Sequence, residues 1–262
     1  MDTREIPNMS DSPLKVLTYN IHKGFSATNR HFVLHGIKDA LREVDADVVF
    51  LQEIQGEHHR HSEKVDNWPD NTQFEFLADE IWPHHAYGKN AIYNNGHHGN
   101  AILSKYTFTG WENINVSTMK SASRSLLHGT LELLPDSPSD SSRLHVICVH
   151  LGLFEHERVR QITQLIKRID RHVPHNEPLI IAGDFNDWRA RAEHSLSTQL
   201  GVREVFKHQH GKHVRSFPAW LPLLPMDRIY SRGVEVVSGY SLQGQPWQRL
   251  SDHLPLVAEF RV

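Results

Sequence analysis

The chain reads as a single α/β domain, and three observations predict it. Short apolar, β-branched runs alternate with amphipathic stretches from Lys15 to the end. No internal repeat and no low-complexity linker separates them. The 262 residues are 39% hydrophobic, enough for a sizeable core.

In chain order, residues 1–13 are polar, carry two prolines and read as a loose leader before one domain over 14–262. Strands are expected at KVLTY (15–19), DVVFLQ (47–52), NAILS (100–104), LHVICV (144–149), PLIIA (178–182), RIY (228–230) and PLVAEF (255–260). A first helix is expected over 29–44, where Phe32, Ile37, Ala40 and Leu41 share a face and Asn29 is available as N-cap. FEFLADEIW (74–82) predicts a shorter helix. Over 156–170, Val159, Ile162, Leu165, Ile166 and Ile169 follow helical spacing more cleanly. The segments 56–70, 93–99 and 207–225 read as surface loops.

Composition narrows the function. A net charge of -3 argues against a strongly basic nucleic-acid clamp. The one cysteine, Cys148, excludes an internal disulfide and a cysteine-based zinc framework, and its apolar setting marks it as a buried, inert thiol. No signal peptide and no membrane-spanning run is seen, so a cytoplasmic location is expected.

Polar residues fall where the apolar runs end. KVLTY leads into Asn20, VVFLQ into Glu53, HVICV into His150, and LIIAG into Asp184 and Asn186. Asp227 opens DRIY, and Asp252 with His253 precedes LPLVAEF. Singly, each is an ordinary turn, cap or surface residue. If the last two strands run antiparallel to the others, all six tips meet at one rim, where α/β proteins commonly place their chemistry. Asp184 and Asn186 are two apart, so extended backbone puts both on one face, able to deprotonate and orient a water, while Phe185 turns away. Asp187 has the opposite parity and drops out. The oxygen donors Asn20, Glu53 and Asp252 suit Mg²⁺ or Mn²⁺ better than zinc.

Taken together and in order, LTYNIH, VVFLQE, GNAILS, VHLG, AGDFND, DRIY and SDHLPL resemble the endonuclease/exonuclease/phosphatase superfamily over residues 17–255. The resemblance implies a four-layer αββα sandwich of two packed mixed sheets, with the site at one edge. It implies Glu53 as the main metal ligand, Asn20 close by, and Asp252 available to the same or a second ion. It further implies that Asp184 and Asn186 act on the attacking water and that His150 contacts the scissile phosphate. His253, held by Asp227, would hydrogen-bond the phosphoryl oxygen and stabilise its developing charge. Apurinic endonucleases carry an acidic residue where this chain has His22, followed by Lys23, which argues against abasic-site repair. Arg160 and Gln164 resemble an arginine–glutamine pair that some members carry on the helix after the histidine.

A metal-dependent phosphodiester hydrolase is therefore expected, with DNA as the first substrate and a monomer as the family-level form. His22, Lys23, Asn100 and Arg160 are the candidate substrate contacts. The alternative is a phospholipid or head-group phosphodiesterase, for which residues 217–225 (FPAWLPLLP) are a candidate membrane-surface contact if Trp220 is exposed. A non-catalytic scaffold is a remote third reading.

Overall fold

The computed structural model describes residues 12–58, 63–79, 81–93, 96–118, 123–133 and 143–262, so the expected leader falls almost wholly outside the described residues. Twelve strands are present among them: β1 (Leu14–Asn20), β2 (Val48–His58), β3 (His84–Tyr93), β4 (Gly96–Ser104), β5 (Thr107–Asn115), β6 (Ser125–Glu132), β7 (Arg143–His150), β8 (Leu179–Asp184), β9 (Arg203–Glu204), β10 (Asp227–Arg232), β11 (Glu235–Ser241) and β12 (Leu256–Arg261). The helices are α1 (Leu34–Val44), α2 (Gln73–Ala78), α3 (Glu155–His172), α4 (Arg191–Leu200), α5 (Val205–His210) and α6 (Trp247–Leu250).

The strands form two six-stranded sheets, ordered β11-β12-β1-β2-β4-β3 and β5-β6-β7-β8-β10-β9. Each has one parallel pair at its centre, β1 with β2 and β7 with β8, flanked by antiparallel neighbours. Side-chain alternation sorts the layers. On β1, Val16 enters the core between the sheets, whereas Leu17 and Tyr19 pack outwards with α1 and α6. On β7, Val146 and Cys148 face the opposite sheet, while Ile147 and Val149 pack against residues of α3 and α4. Because the central strands are covered on both faces, they read in sequence as unbroken apolar runs rather than alternating ones. The result is the four-layer sandwich expected from the resemblance.

Every expected strand forms, and several elements differ. The first helix starts at Leu34, because Asn29 sits at φ +56° in a turn and Val33 is an N-cap without a side-chain bond. The short helix is set by a Thr72–Glu75 capping box and ends at Ala78, so Trp82 lies beyond it. Residues 93 and 96–99, expected as loop, belong to the β3–β4 pair. Glycine there reflects close packing, since a Cβ on Gly99 would lie 1.8 Å from the Gly88 carbonyl oxygen. The 56–70 and 207–225 loops lose their first residues to β2 and α5 respectively. No helix among the described residues is long and apolar enough to cross a membrane.

Candidate active site

Strand register gathers the polar tips. Parallel pairing sets His150 beside Asp184, and antiparallel β10 sets Asp227 opposite Asp184 on its other side. In the other sheet, β12 runs antiparallel to β1, so the segment entering it brings Asp252 and His253 to the end where Asn20 lies. The amide of Asn20 donates to Asp184 Oδ2 at 3.2 Å and joins the two sheets.

Asp184 is the hub. Its Oδ2 lies 3.6 Å from His150 Nε2 and 3.9 Å from His253 Nε2, and its Oδ1 accepts the Asn186 backbone N–H at 2.9 Å. Asn186 has φ +50°, so the backbone has already left the extended form. The pair is therefore united by an Asx turn rather than by strand parity, a correction to the sequence argument. The Asn186 side-chain amide donates to the Leu151 carbonyl at 3.0 Å. Phe185 does turn back, packing on Tyr230 with ring centroids 5.2 Å apart. Asp187 serves structure: its Oδ2 accepts the Ala192 N–H at 2.9 Å at the start of α4.

Gly183 makes this tip possible. Its φ is +146°, and a Cβ there would fall 2.0 Å from the Val149 carbonyl oxygen on β7. Only glycine lets β8 approach β7 closely enough to set Asp184 against His150.

His253 Nδ1 is 2.8 Å from Asp227 Oδ2, which also accepts the Ser216 hydroxyl at 2.5 Å. Burial opposes a charge on the His253 ring, but the Asp227 and Asp184 carboxylates outweigh it and push its pKa up to about 10. The two carboxylates therefore favour the protonated ring. Burial pushes Asp184 up to about 7, helped by Asp227 and opposed by His253, the Asn186 N–H and Asn20. His150 is held well below 6.5 by burial first and Arg124 second, so it is neutral.

Glu53 does not end its strand. It sits at φ +56° where the β2–β4 register shifts between Leu51 and Ile54, and β2 continues to His58. Such a bulge re-aims one side chain out of the pleat. Burial resists ionisation of Glu53, yet its cationic surroundings, with the Lys23 ammonium in direct contact, outweigh it and hold its carboxyl well below the usual range. Lys23 Nζ lies 2.8 Å from Glu53 Oε2, an ammonium standing where a cation is attracted. Asn20 Oδ1 accepts the His22 N–H at 3.1 Å. Asp252 is half-buried, 3.3 Å from the Ser251 hydroxyl that also donates to the Asn20 carbonyl at 2.7 Å. An ionised carboxylate already drawing a cation, with further oxygen donors nearby, fits a hard divalent ion. Asp184, Asp227 and His253 also lie within 4.8 Å of one another, but the 2.8 Å bond inside this group makes it an acid–imidazole pair facing a carboxylate.

Among the candidate substrate contacts, His22 and Lys23 adjoin Glu53 in a 3-10 turn (His22–Gly24). Asn100 is buried on β4, donating to the Ser125 carbonyl at 3.2 Å. Arg160 and Gln164 are exposed on the solvent side of α3, so neither joins the group. The inward pair is Arg158 and Gln161: Arg158 Nη1 donates to the Gly152 carbonyl at 3.2 Å and Gln161 Oε1 accepts the Gly152 N–H at 2.8 Å. These two fix the turn after His150, and their three-residue spacing was the readable signal. Arg124, whose Nε donates to the Leu151 carbonyl at 3.2 Å, and Ser216 carried no motif.

The chain belongs to the endonuclease/exonuclease/phosphatase family, whose model matches residues 17–253. Members are generally phosphoric ester hydrolases and typically depend on a divalent metal. An Escherichia coli (strain K12) relative, YbhP, described as uncharacterised, is 46% identical over 248 residues, covering 95% of this chain and 96% of its own. A Beutenbergia cavernae endonuclease/exonuclease/phosphatase has a similar fold (TM-score 0.73, 18% identity, 96% of this chain, 72% of that one). So does D. rerio TDP2 complexed with a single-strand DNA product (TM-score 0.70, 20% identity, 96% and 100% covered).

Proposed function

We propose that the chain is a divalent-metal-dependent phosphodiester hydrolase with water as the nucleophile. One observation carries it: a buried carboxylate, Asp184, faces two imidazoles, His150 and His253, at 3.6 and 3.9 Å. Asp184 is basic enough to take a proton from water held beside Asn186. His253, charged and orientated by Asp227, donates to a phosphoryl oxygen as negative charge develops there. Neutral His150 donates a hydrogen bond to the phosphate without repelling a metal. Glu53, with Asn20 and Asp252, would hold Mg²⁺ or Mn²⁺, which supplies Lewis-acid charge to the same oxygens.

DNA has the support of the TDP2 likeness and of the cations Lys23 and Arg124 beside the site. A phospholipid diester has the support of a specific observation, the 67% exposure of Trp220. The test is a panel of bis(p-nitrophenyl) phosphate, supercoiled plasmid and phospholipid vesicles, each with Mn²⁺ or EDTA. Metal-dependent turnover of the soluble diester, lost in Asp184→Asn, is expected. Turnover that persists in EDTA sinks the reading, and the plasmid and vesicle arms separate the substrates.

A further inference from the structure

We propose that the site-side rim of the second sheet is a docking collar that seats the catalytic mouth on an anionic lipid surface. The proposal rests on the hydrolase reading only for the reason the mouth should face that surface. Twelve large hydrophobic residues are exposed among the described residues, and six belong to three loops at the site ends of adjacent strands β7, β8 and β10. Leu153 (58%) and Phe154 (60%) follow β7, Trp188 (39%) follows β8, and Trp220 (67%), Leu221 (48%) and Leu223 (53%) precede β10. Scattered single exposures need no explanation, whereas a rimmed cluster marks an interaction surface.

The longest of these loops is rigid. The Ser216 and Phe217 N–H groups donate to the Leu224 carbonyl at 3.0 and 3.1 Å, and the Leu223 and Leu224 N–H groups donate back to Phe217 at 2.9 and 2.8 Å. Its base is tied to the catalytic group. Ser216 bonds Asp227, the Ala219 N–H donates to the Asp252 carbonyl at 2.7 Å, and the Phe217 ring lies 5.0 Å from His253. The Arg158 and Arg189 guanidinium groups lie 5.2 and 6.0 Å from the centre of the Trp188 ring.

Charge selects the occupant. From Gly211 to Met226 the chain carries the exposed cations Lys212 and Arg215 and no aspartate or glutamate. Exposed tryptophan and leucine beside such cations is the pattern of a protein lying in an anionic interface. A base-stacking platform for single-stranded nucleic acid would employ ring faces, and three of the six side chains are leucines that offer none. A second copy of the chain on the collar would close the mouth to a phosphodiester.

The test is co-sedimentation of the Asp184→Asn chain with phosphatidylglycerol-containing vesicles, with tryptophan emission followed in parallel. Binding with a blue shift is expected, and Trp220→Ser with Leu223→Ser weakens it at least tenfold. Leu153→Ser with Phe154→Ser, on a separate loop, weakens it as well and guards against misfolding of the first pair. Three results each overturn the proposal: no vesicle binding, equal binding by both folded variants, or Trp220-dependent capture of oligothymidylate or of a second copy in place of vesicles. Hydrolysis of bis(p-nitrophenyl) phosphate by the unsubstituted chain is read separately, so a failed hydrolase reading shows there while docking is scored by binding alone.

Discussion

Asp184 answers to neighbours on three strands, and its substitution is the sharpest residue-level experiment. Asp184→Asn retains shape but removes the base, so hydrolysis of a soluble diester should fall by about 10²- to 10⁴-fold with unfolding behaviour preserved. Retention of more than a tenth of the rate would take Asp184 out of the chemistry. The correction on α3 yields a paired test. Arg158→Ala should cost about 1–3 kcal/mol in urea denaturation because the buried Gly152 carbonyl and the part-buried Leu153 carbonyl lose their donor. Arg160→Ala should stay within about 0.5 kcal/mol. Asp184, His253 and Asp227 were legible because each sits where an apolar run starts or stops. Ser216 and Arg124 were not, since a hydroxyl eleven residues before Asp227 and a cation near a loop follow no periodicity.

Elements set those residues through two devices, a bulge at Glu53 and a glycine contact at Gly183. Gly183→Ala should destabilise the fold by roughly 2 kcal/mol or more and lower the rate by separating Asp184 from His150. Unchanged denaturation would show that β7 and β8 tolerate the added methyl. The outer face of the second sheet supplies a pH test. His145 Nε2 lies 2.6 Å from Glu177, His145 Nδ1 lies 3.0 Å from His128 Nε2, and Arg168 Nε donates to His128 Nδ1 at 3.1 Å. Burial first, then the neighbouring His145 and Arg168, lowers His128 to about 3 from the usual 6.5. The unfolded chain therefore binds protons that the folded chain refuses. This contribution to stability is complete above about pH 6.5 and is lost as pH falls towards 3. Urea midpoints of His128→Gln should fall less steeply from pH 7 to pH 4 than those of the unsubstituted chain, and parallel curves would remove the assignment. Most buried strands were readable as apolar runs, but buried β6 was not expected, because His128, Gly129 and Thr130 interrupt its apolar residues. β5 and β11, with exposed polar positions, lacked that signal.

On the scale of the whole molecule, the metal assignment predicts linkage. Manganese at about a hundred times its dissociation constant should stabilise the chain by about 2.7 kcal/mol, and Glu53→Ala should abolish the gain. A thermal midpoint in Glu53→Ala that still rises with Mn²⁺ would move the ion elsewhere. The layered fold was legible because two central sheets, buried on both faces, leave their strand tips as the main places where polar residues interrupt apolar runs.

The Asn20–Asp184 hydrogen bond has a wider consequence. With the Asn100–Ser125 and Gln52–Cys148 contacts, it is one of the polar clasps between two slabs that also meet through packed hydrocarbon such as Val16, Phe50 and Ala182. The alignment of base, ion ligands and imidazoles is therefore a gauge of how the slabs are stacked. A methyl group removed or added at their shared face can detune turnover without touching any polar residue. For this architecture, mutations of the interior belong among the modifiers of rate, and a stability screen run alone would misfile them.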